Sequence, residues 1–170
     1  METEIIEPTA RPFAFEAFYR EWFPSVARSI ALVVRDVDLA QELAQEGFTR
    51  LWRRWDAMES QDHARNFVFR VSLNEARSNL RRRRTFRLLG LDRGPAGGPS
   101  DPAESMTNRI AVFEALGSLS VRQRECVVLV DYLGYDGATA GELLGIRPST
   151  VRVQLMRGRA KLREALEEET

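Results

Sequence analysis

Apolar residues recur every three or four positions along most of this chain, a spacing that marks one side of a helix rather than one face of a strand. From Phe13 to Val34, the residues Phe15, Phe18, Tyr19, Trp22, Phe23, Val26, Ile30, Val33 and Val34 predict an amphipathic helix with an aromatic buried side. Pro24 falls inside it and is expected to kink it or to begin a second segment. Asp36 and Asp38 offer N-caps for a second helix, about Leu39 to Trp55. Its inward positions are Leu43, Phe48, Leu51 and Trp52, and its outward ones Glu42, Gln45, Glu46 and Arg50. The stretch M-E-S-Q-D-H-A-R, Met58–Arg65, has no helical period and reads as a loop. From Asn66 the period resumes through Phe67, Val68, Val71, Leu73, Ala76 and Leu80, and ends in the run Arg81–Arg84.

The composition then changes. Gly90 to Pro102, G-L-D-R-G-P-A-G-G-P-S-D-P, cannot hold a helix and reads as a flexible linker. It predicts two helical units, residues 10–84 and 103–167, joined by residues 85–102. In the second unit, Glu104–Leu116 forms a helix with Ile110, Val112, Phe113 and Leu116 on its apolar side. Ser120 caps the next helix, Val121–Leu133, whose run Val127–Val130 is buried. A short helix, Ala138–Leu144, then ends at Gly145, a residue that closes helices in the left-handed conformation. Pro148 pre-sets φ for the first turn of a final helix, whose inner side carries Val151, Leu155 and Leu162. A short helix, a tight glycine turn and a long helix make a helix-turn-helix, whose second helix enters a DNA major groove. No segment alternates as a strand does, so the fold class is all-α.

Charge sharpens this picture. The 170 residues carry 25 basic and 25 acidic side chains, so net charge alone gives no sign of a nucleic-acid binder. The distribution does: from Arg147 to Arg163 every charge is positive, whereas Glu42 and Glu46 lie in another segment. Two surfaces with different partners follow. Cys126 and His63 are single, so neither a disulfide framework nor a zinc site of usual ligands is expected. His63 has no nucleophile in a triad pattern, so no catalytic residue, metal, cofactor or small-molecule substrate is assigned. No apolar run reaches membrane-spanning length, and Met1–Ala10 lacks the form of a signal peptide, so a cytoplasmic protein is expected. On the residues alone, a free-standing helix-turn-helix regulator and a protein that silences transcription by binding its machinery both stay open.

Three stretches, in this order, resemble the bacterial RNA polymerase sigma factors of the extracytoplasmic-function group, in the sigma-70 family. Ala40–Trp52, A-Q-E-L-A-Q-E-G-F-T-R-L-W, is similar to the family's acidic polymerase-docking segment. Phe67–Arg84, F-V-F-R-V-S-L-N-E-A-R-S-N-L-R-R-R-R, resembles the segment that melts and reads the minus-ten element. G-E-L-L-G-I-R-P-S-T-V-R-V-Q-L-M-R-G-R-A-K-L-R resembles the minus-thirty-five reader. Phe67 stands where relatives usually carry tryptophan, and Val153 where the recognition helix is often polar.

The resemblance implies three tasks. Glu42, Gln45, Glu46 and Arg50, with Phe48 and Trp52 bracing from within, would dock on the clamp helices of the largest subunit of core RNA polymerase. The second unit would meet the flap of the second-largest subunit. Ser60, Gln61, Asp62 and His63, in a base-capturing loop, with Phe67, Arg70, Asn74, Arg77, Arg81 and Arg82, would take the minus-ten strand of promoter DNA. Arg152, Val153, Met156 and Arg157 would face base edges of the minus-thirty-five element, and Arg147, Ser149, Thr150 and Arg159 its phosphates. Release from an anti-sigma factor, often one held at the membrane, is also implied.

Overall fold

The computed structural model describes residues 14–90 and 106–168. Met1–Pro12, the stretch 91–102 with the linker role expected of it, and Glu104 lie outside the described residues. Among those described there are helices and no strand.

The first helix, α1, spans Phe15–Val34 and runs through Pro24 as a single element. The proline removes one backbone donor, but the aromatic residues around it stay packed, with Tyr19 and Phe23 stacked at 5.0 Å between centroids. Arg35 ends α1 in the left-handed conformation, with φ 59°. Asp36 then caps α2, Val37–Trp52, its carboxylate accepting the Leu39 N–H at 3.0 Å.

The second helix stops at Trp52, short of the expected Trp55, because the Arg53 and Arg54 amides turn back to Thr49 and Leu51. A 3₁₀ turn over Trp55–Ala57 follows and swings Trp55 into the core against Phe15 and Phe18. Trp55 takes the inward place expected of Trp52, which is 55% exposed. Trp52 therefore does not brace α2 from within.

The third helix, α3, spans Gln61–Leu88, longer at both ends than its apolar period suggests. Ser60 caps it by accepting the His63 N–H at 3.1 Å. Gln61, Asp62 and His63 thus form a helical first turn rather than a loop. Polar residues there carry no period, and only Ala64 among them is buried. The helices α2 and α3 touch at Gly47, where a Cβ would come within 2.2 Å of the Ser72 hydroxyl.

The helix α4, Met106–Ala115, leads through a short turn to the buried Leu116 and Leu119. Val112 was expected on its apolar side but is 44% exposed. A capping box then starts α5, Val121–Val127: Ser120 accepts from the Gln123 amide and Gln123 from the Ser120 amide. A π-helical turn, Val128–Tyr132, extends it to the expected length. Asp136 caps α6, Gly137–Leu144, which ends at Gly145 with φ 65°. The last helix, α7, spans Pro148–Glu168. Val151 and Leu155 are buried and Leu162 partly so, as the period requires. The helices α5 and α7 meet at Gly158, where a Cβ would lie 3.1 Å from a Val127 methyl.

The carboxy-terminal helices fold back onto the first three: α6 lies against α3, and α5 against α1. Phe69 of α3 meets Tyr135 edge to face at 6.0 Å.

Because Gly47 leaves no room for a methyl group, Gly47→Ala is expected to destabilise the fold by about 1–3 kcal/mol. A urea titration should show a lower midpoint with unchanged slope.

Candidate nucleic-acid interface

The exposed face of α7 is built by its own burial pattern. Val151 and Leu155 fix the inner side, so Arg152, Val153, Met156 and Arg157 turn outward. Val153 is 38% exposed and Met156 64%, more than a packed core position would show. Arg147, Ser149 and Thr150 are exposed around the turn into α7. Arg159 is exposed as well but already partnered. Its guanidinium donates twice to the Asp131 carboxylate, at 3.0 and 2.6 Å, a fork that raises its pKa through those bonds. A phosphate would have to displace Asp131 to engage it.

On α3, Arg70, Asn74, Arg77 and Arg81 recur at spacings of three and four and share one side. Arg70, Asn74, Arg81 and Arg82 are exposed, whereas Arg77 is only 22% so. Arg77 donates to the Asn74 side-chain oxygen and pairs with Glu125 of α5 at 2.9 Å. With Glu142, Leu143, Leu144 and Gly145 of α6 and the turn after it, Arg70, Asn74 and Arg77 line a cleft of about 570 Å³. At the start of α3, Ser60 is occupied as a cap, Asp62 pairs with Arg65 at 3.0 Å, and Gln61 and His63 are exposed. Phe67 is half-buried beneath the Arg54 guanidinium, 5.9 Å from its ring centre.

The outer face of α2 is acidic. Glu42, Gln45 and Glu46 are exposed, Gln45 accepts from the Tyr19 hydroxyl at 2.9 Å, and Arg50 bridges Glu46 at 2.7 Å and Glu75 at 2.8 Å. Phe48 is buried among Phe18, Tyr19 and Phe23, so it sets the pose of α2 and touches no partner.

Sequence reading missed the groups that join the two halves. The Glu125 side chain has no exposure, and it lies 2.9 Å from the Arg77 guanidinium and 3.1 Å from that of Arg122. Neither of its oxygens has a partner in hydrogen-bond geometry. Burial pushes its pKa up to about 7, against the opposing pull of Arg77, Arg122 and Arg124. Arg65 sits between two rings, 5.1 Å from Trp22 and 5.3 Å from Tyr135. The signal available was Glu125 itself, an acid beside the apolar run C-V-V-L-V.

A cationic helix of 28 residues and a helix-turn-helix define a helical DNA-binding protein, and α2 adds an acidic face. The Sigma-70 region 2 family matches residues 18–86, and Sigma-70, region 4, matches residues 109–162. The RNA polymerase sigma factor CarQ of Myxococcus xanthus is 30% identical over 158 residues, covering 91% of this chain and 90% of CarQ. The RNA polymerase sigma-E factor of Streptomyces avermitilis is 29% identical over 153 residues, 90% of this chain and 85% of that protein. The crystallised sigma factor RpoE of Bartonella quintana, in complex with the anti-sigma factor NepR, has the same fold, with a TM-score of 0.75 at 21% identity over 90% of this chain and 96% of that one. The chain belongs to the sigma-70 family of RNA polymerase sigma factors, in the extracytoplasmic-function group. Its function is to direct RNA polymerase to promoters.

Glu125 binds its proton more tightly when buried than when solvated, so its contribution to stability is full below about pH 4.5 and is lost as pH rises through about 7. Facing it are Arg77 from α3 and Arg122 and Arg124 from its own helix, with Arg81 and Arg35 acting on Arg77 and Arg124 in turn. Unfolding measured at successive pH values should show stability falling between about pH 5 and 7 by at most about 1.4 kcal/mol per pH unit. Glu125→Gln should remove that slope.

Proposed function

We propose that residues 10–84 hold core RNA polymerase and take the opened minus-ten strand, that residues 103–167 read the minus-thirty-five duplex, and that the tether expected over residues 85–102, of which Thr85–Leu88 prolong α3 instead, joins the two. The observation carrying this is the separation of faces: acids project from α2, while cations and exposed apolar side chains project from α3 and α7.

Docking falls to Glu42, Gln45, Glu46 and Arg50 against the clamp helices of the largest polymerase subunit, with Phe48 fixing α2 from inside. Charge complementarity there sets register and encounter rate more than affinity. The carboxy-terminal helices meet the flap of the second-largest subunit. Opening DNA requires a base to leave the stack, at a cost of a few kcal/mol. The first turn of α3, with Ser60, Gln61, Asp62 and His63, lies where that base is captured, and Phe67 offers an aromatic face near it. Arg70, Asn74, Arg77, Arg81 and Arg82 follow the strand's backbone and base edges.

On α7, Arg152 and Arg157 suit guanine, and Val153 and Met156 suit the thymine methyl. Arg147, Ser149, Thr150 and Arg159 hold phosphates, Arg159 by exchanging Asp131 for one. The chain directs an enzyme and performs no chemistry itself. It works in the cytoplasm, free or held at the membrane by an anti-sigma factor, the kind of partner seated on the Bartonella relative.

Purified chain and core polymerase should produce transcripts with defined start sites from a genomic fragment library. Absence of transcripts would overturn the proposal, and duplex binding without polymerase would then favour a free-standing regulator. Arg157→Ala should relax specificity at one base pair by about 1–3 kcal/mol. Arg159→Ala should weaken all sequences alike. Binding across a substitution series of the upstream element distinguishes them, and identical behaviour would refute the assignment.

A further inference from the structure

Between α3 and the end of α6 lies a cleft of about 570 Å³, walled by Arg70, Asn74 and Arg77 on one side and by Glu142 to Gly145 on the other. Its walls are fixed, because one buried core runs through the helices that form them. Each wall carries one kind of polar group. Arg77 faces Glu125 with Nε and donates through Nη2 to the Asn74 side-chain oxygen. Asn74 is left with its amide N–H groups to offer, and Arg77 with Nη1. Arg70 is exposed and has no partner among the described residues, so its whole guanidinium is available. The α3 wall therefore donates. Across from it, the Glu142 carboxylate is exposed, is likewise unpartnered among the described residues, and only accepts. Arg70 and Glu142 line one cleft, yet they do not reach each other as an ion pair.

We propose that this cleft binds a free guanine nucleotide, its phosphate on Arg70, the Asn74 amide and Arg77, and the edge of its base on Glu142.

Two opposite charges held apart across one cleft suit a ligand with an oxyanion at one end and N–H donors at the other. Guanidinium and amide groups take phosphate oxygens through charge-assisted hydrogen bonds. A ligand that was anionic throughout would meet Glu142 as a like charge. Among the common bases, guanine alone sets two donors side by side, the ring N1–H and the N2 amino group, and the two oxygens of a carboxylate accept both. The carboxy-terminal end of a helix ordinarily repels an anion through its free carbonyls. Here the Gly141, Glu142 and Leu144 carbonyls are all engaged: Arg122 donates to Leu144 at 3.3 Å, and the Gly145 and Ile146 amides turn back to Glu142 and Gly141. The cleft also falls within the roughly 300–1,000 Å³ of small-molecule sites.

The test is isothermal titration calorimetry of the full chain with GMP, AMP, guanosine and inorganic phosphate. GMP should bind at least about tenfold more tightly than each of the others, since each lacks one of the two recognised ends. Arg70→Ala and Glu142→Gln change exposed side chains without partners among the described residues, and circular dichroism establishes that both fold. Arg70→Ala should weaken GMP by about tenfold, the loss of a charge-assisted contact. Glu142→Gln should bring GMP to the affinity of AMP and leave AMP as it was. No binding of GMP, equal binding of GMP and AMP, or variants that behave as wild type would each overturn the proposal. Phosphate bound as tightly as GMP would do so too, by reducing the cleft to a seat for any oxyanion. DNA is absent throughout, so failure here leaves the reading of α3 as a promoter-strand helix standing.

Discussion

A carboxylate removed from water needs positive charge close by, and Glu125 finds it on a helix from the other half of the chain. That requirement ties α5 to α3 and brings Tyr135, Arg65, Phe69, Arg35 and Phe113 into register around it. It also decides which arginines of α3 are spoken for. Arg77 is engaged and Arg83 pairs with the capping Asp36, whereas Arg70, Arg81 and Arg82 face solvent. A row of cations that looks uniform in sequence is divided by folding into structural and exposed members.

The same division runs through α7. Arg157 is presented outward, and Arg159, two residues on, is forked onto Asp131 at the π-helical turn. Gly158 lets α7 approach Val127 of α5 closely, and Val151 and Leu155 anchor α7 from within, so its seat is apolar and the exposed Arg159–Asp131 pair adds little to it.

Much of the fold was legible because helical burial leaves a period of three to four, and because caps and glycine turns announce helix ends. Ser120, Asp36, Gly145 and Pro148 all act as their chemistry suggests. The errors fall where that signal is weak. Two tryptophans three residues apart, Trp52 and Trp55, compete for one core position, and a turn that the period does not encode decides for Trp55. The first turn of α3 was invisible because its buried side is a single alanine, Ala64. The exposed faces of α2 and α7 followed from the inward residues opposite them. The contact between halves did not: pairing of Glu125 with Arg77 spans the chain and depends on tertiary placement alone.

The seating of the carboxy-terminal helices on the first three depends on Glu125 and its pairing with Arg77. Pulsed spin-label distances between Glu16→Cys on α1 and Glu164→Cys on α7, both exposed positions, measure this directly in the chain with Glu125 and in the same chain carrying Glu125→Ala. A single narrow distance distribution with Glu125, broadened in Glu125→Ala, is the predicted result. The same narrow distribution in both would contradict it.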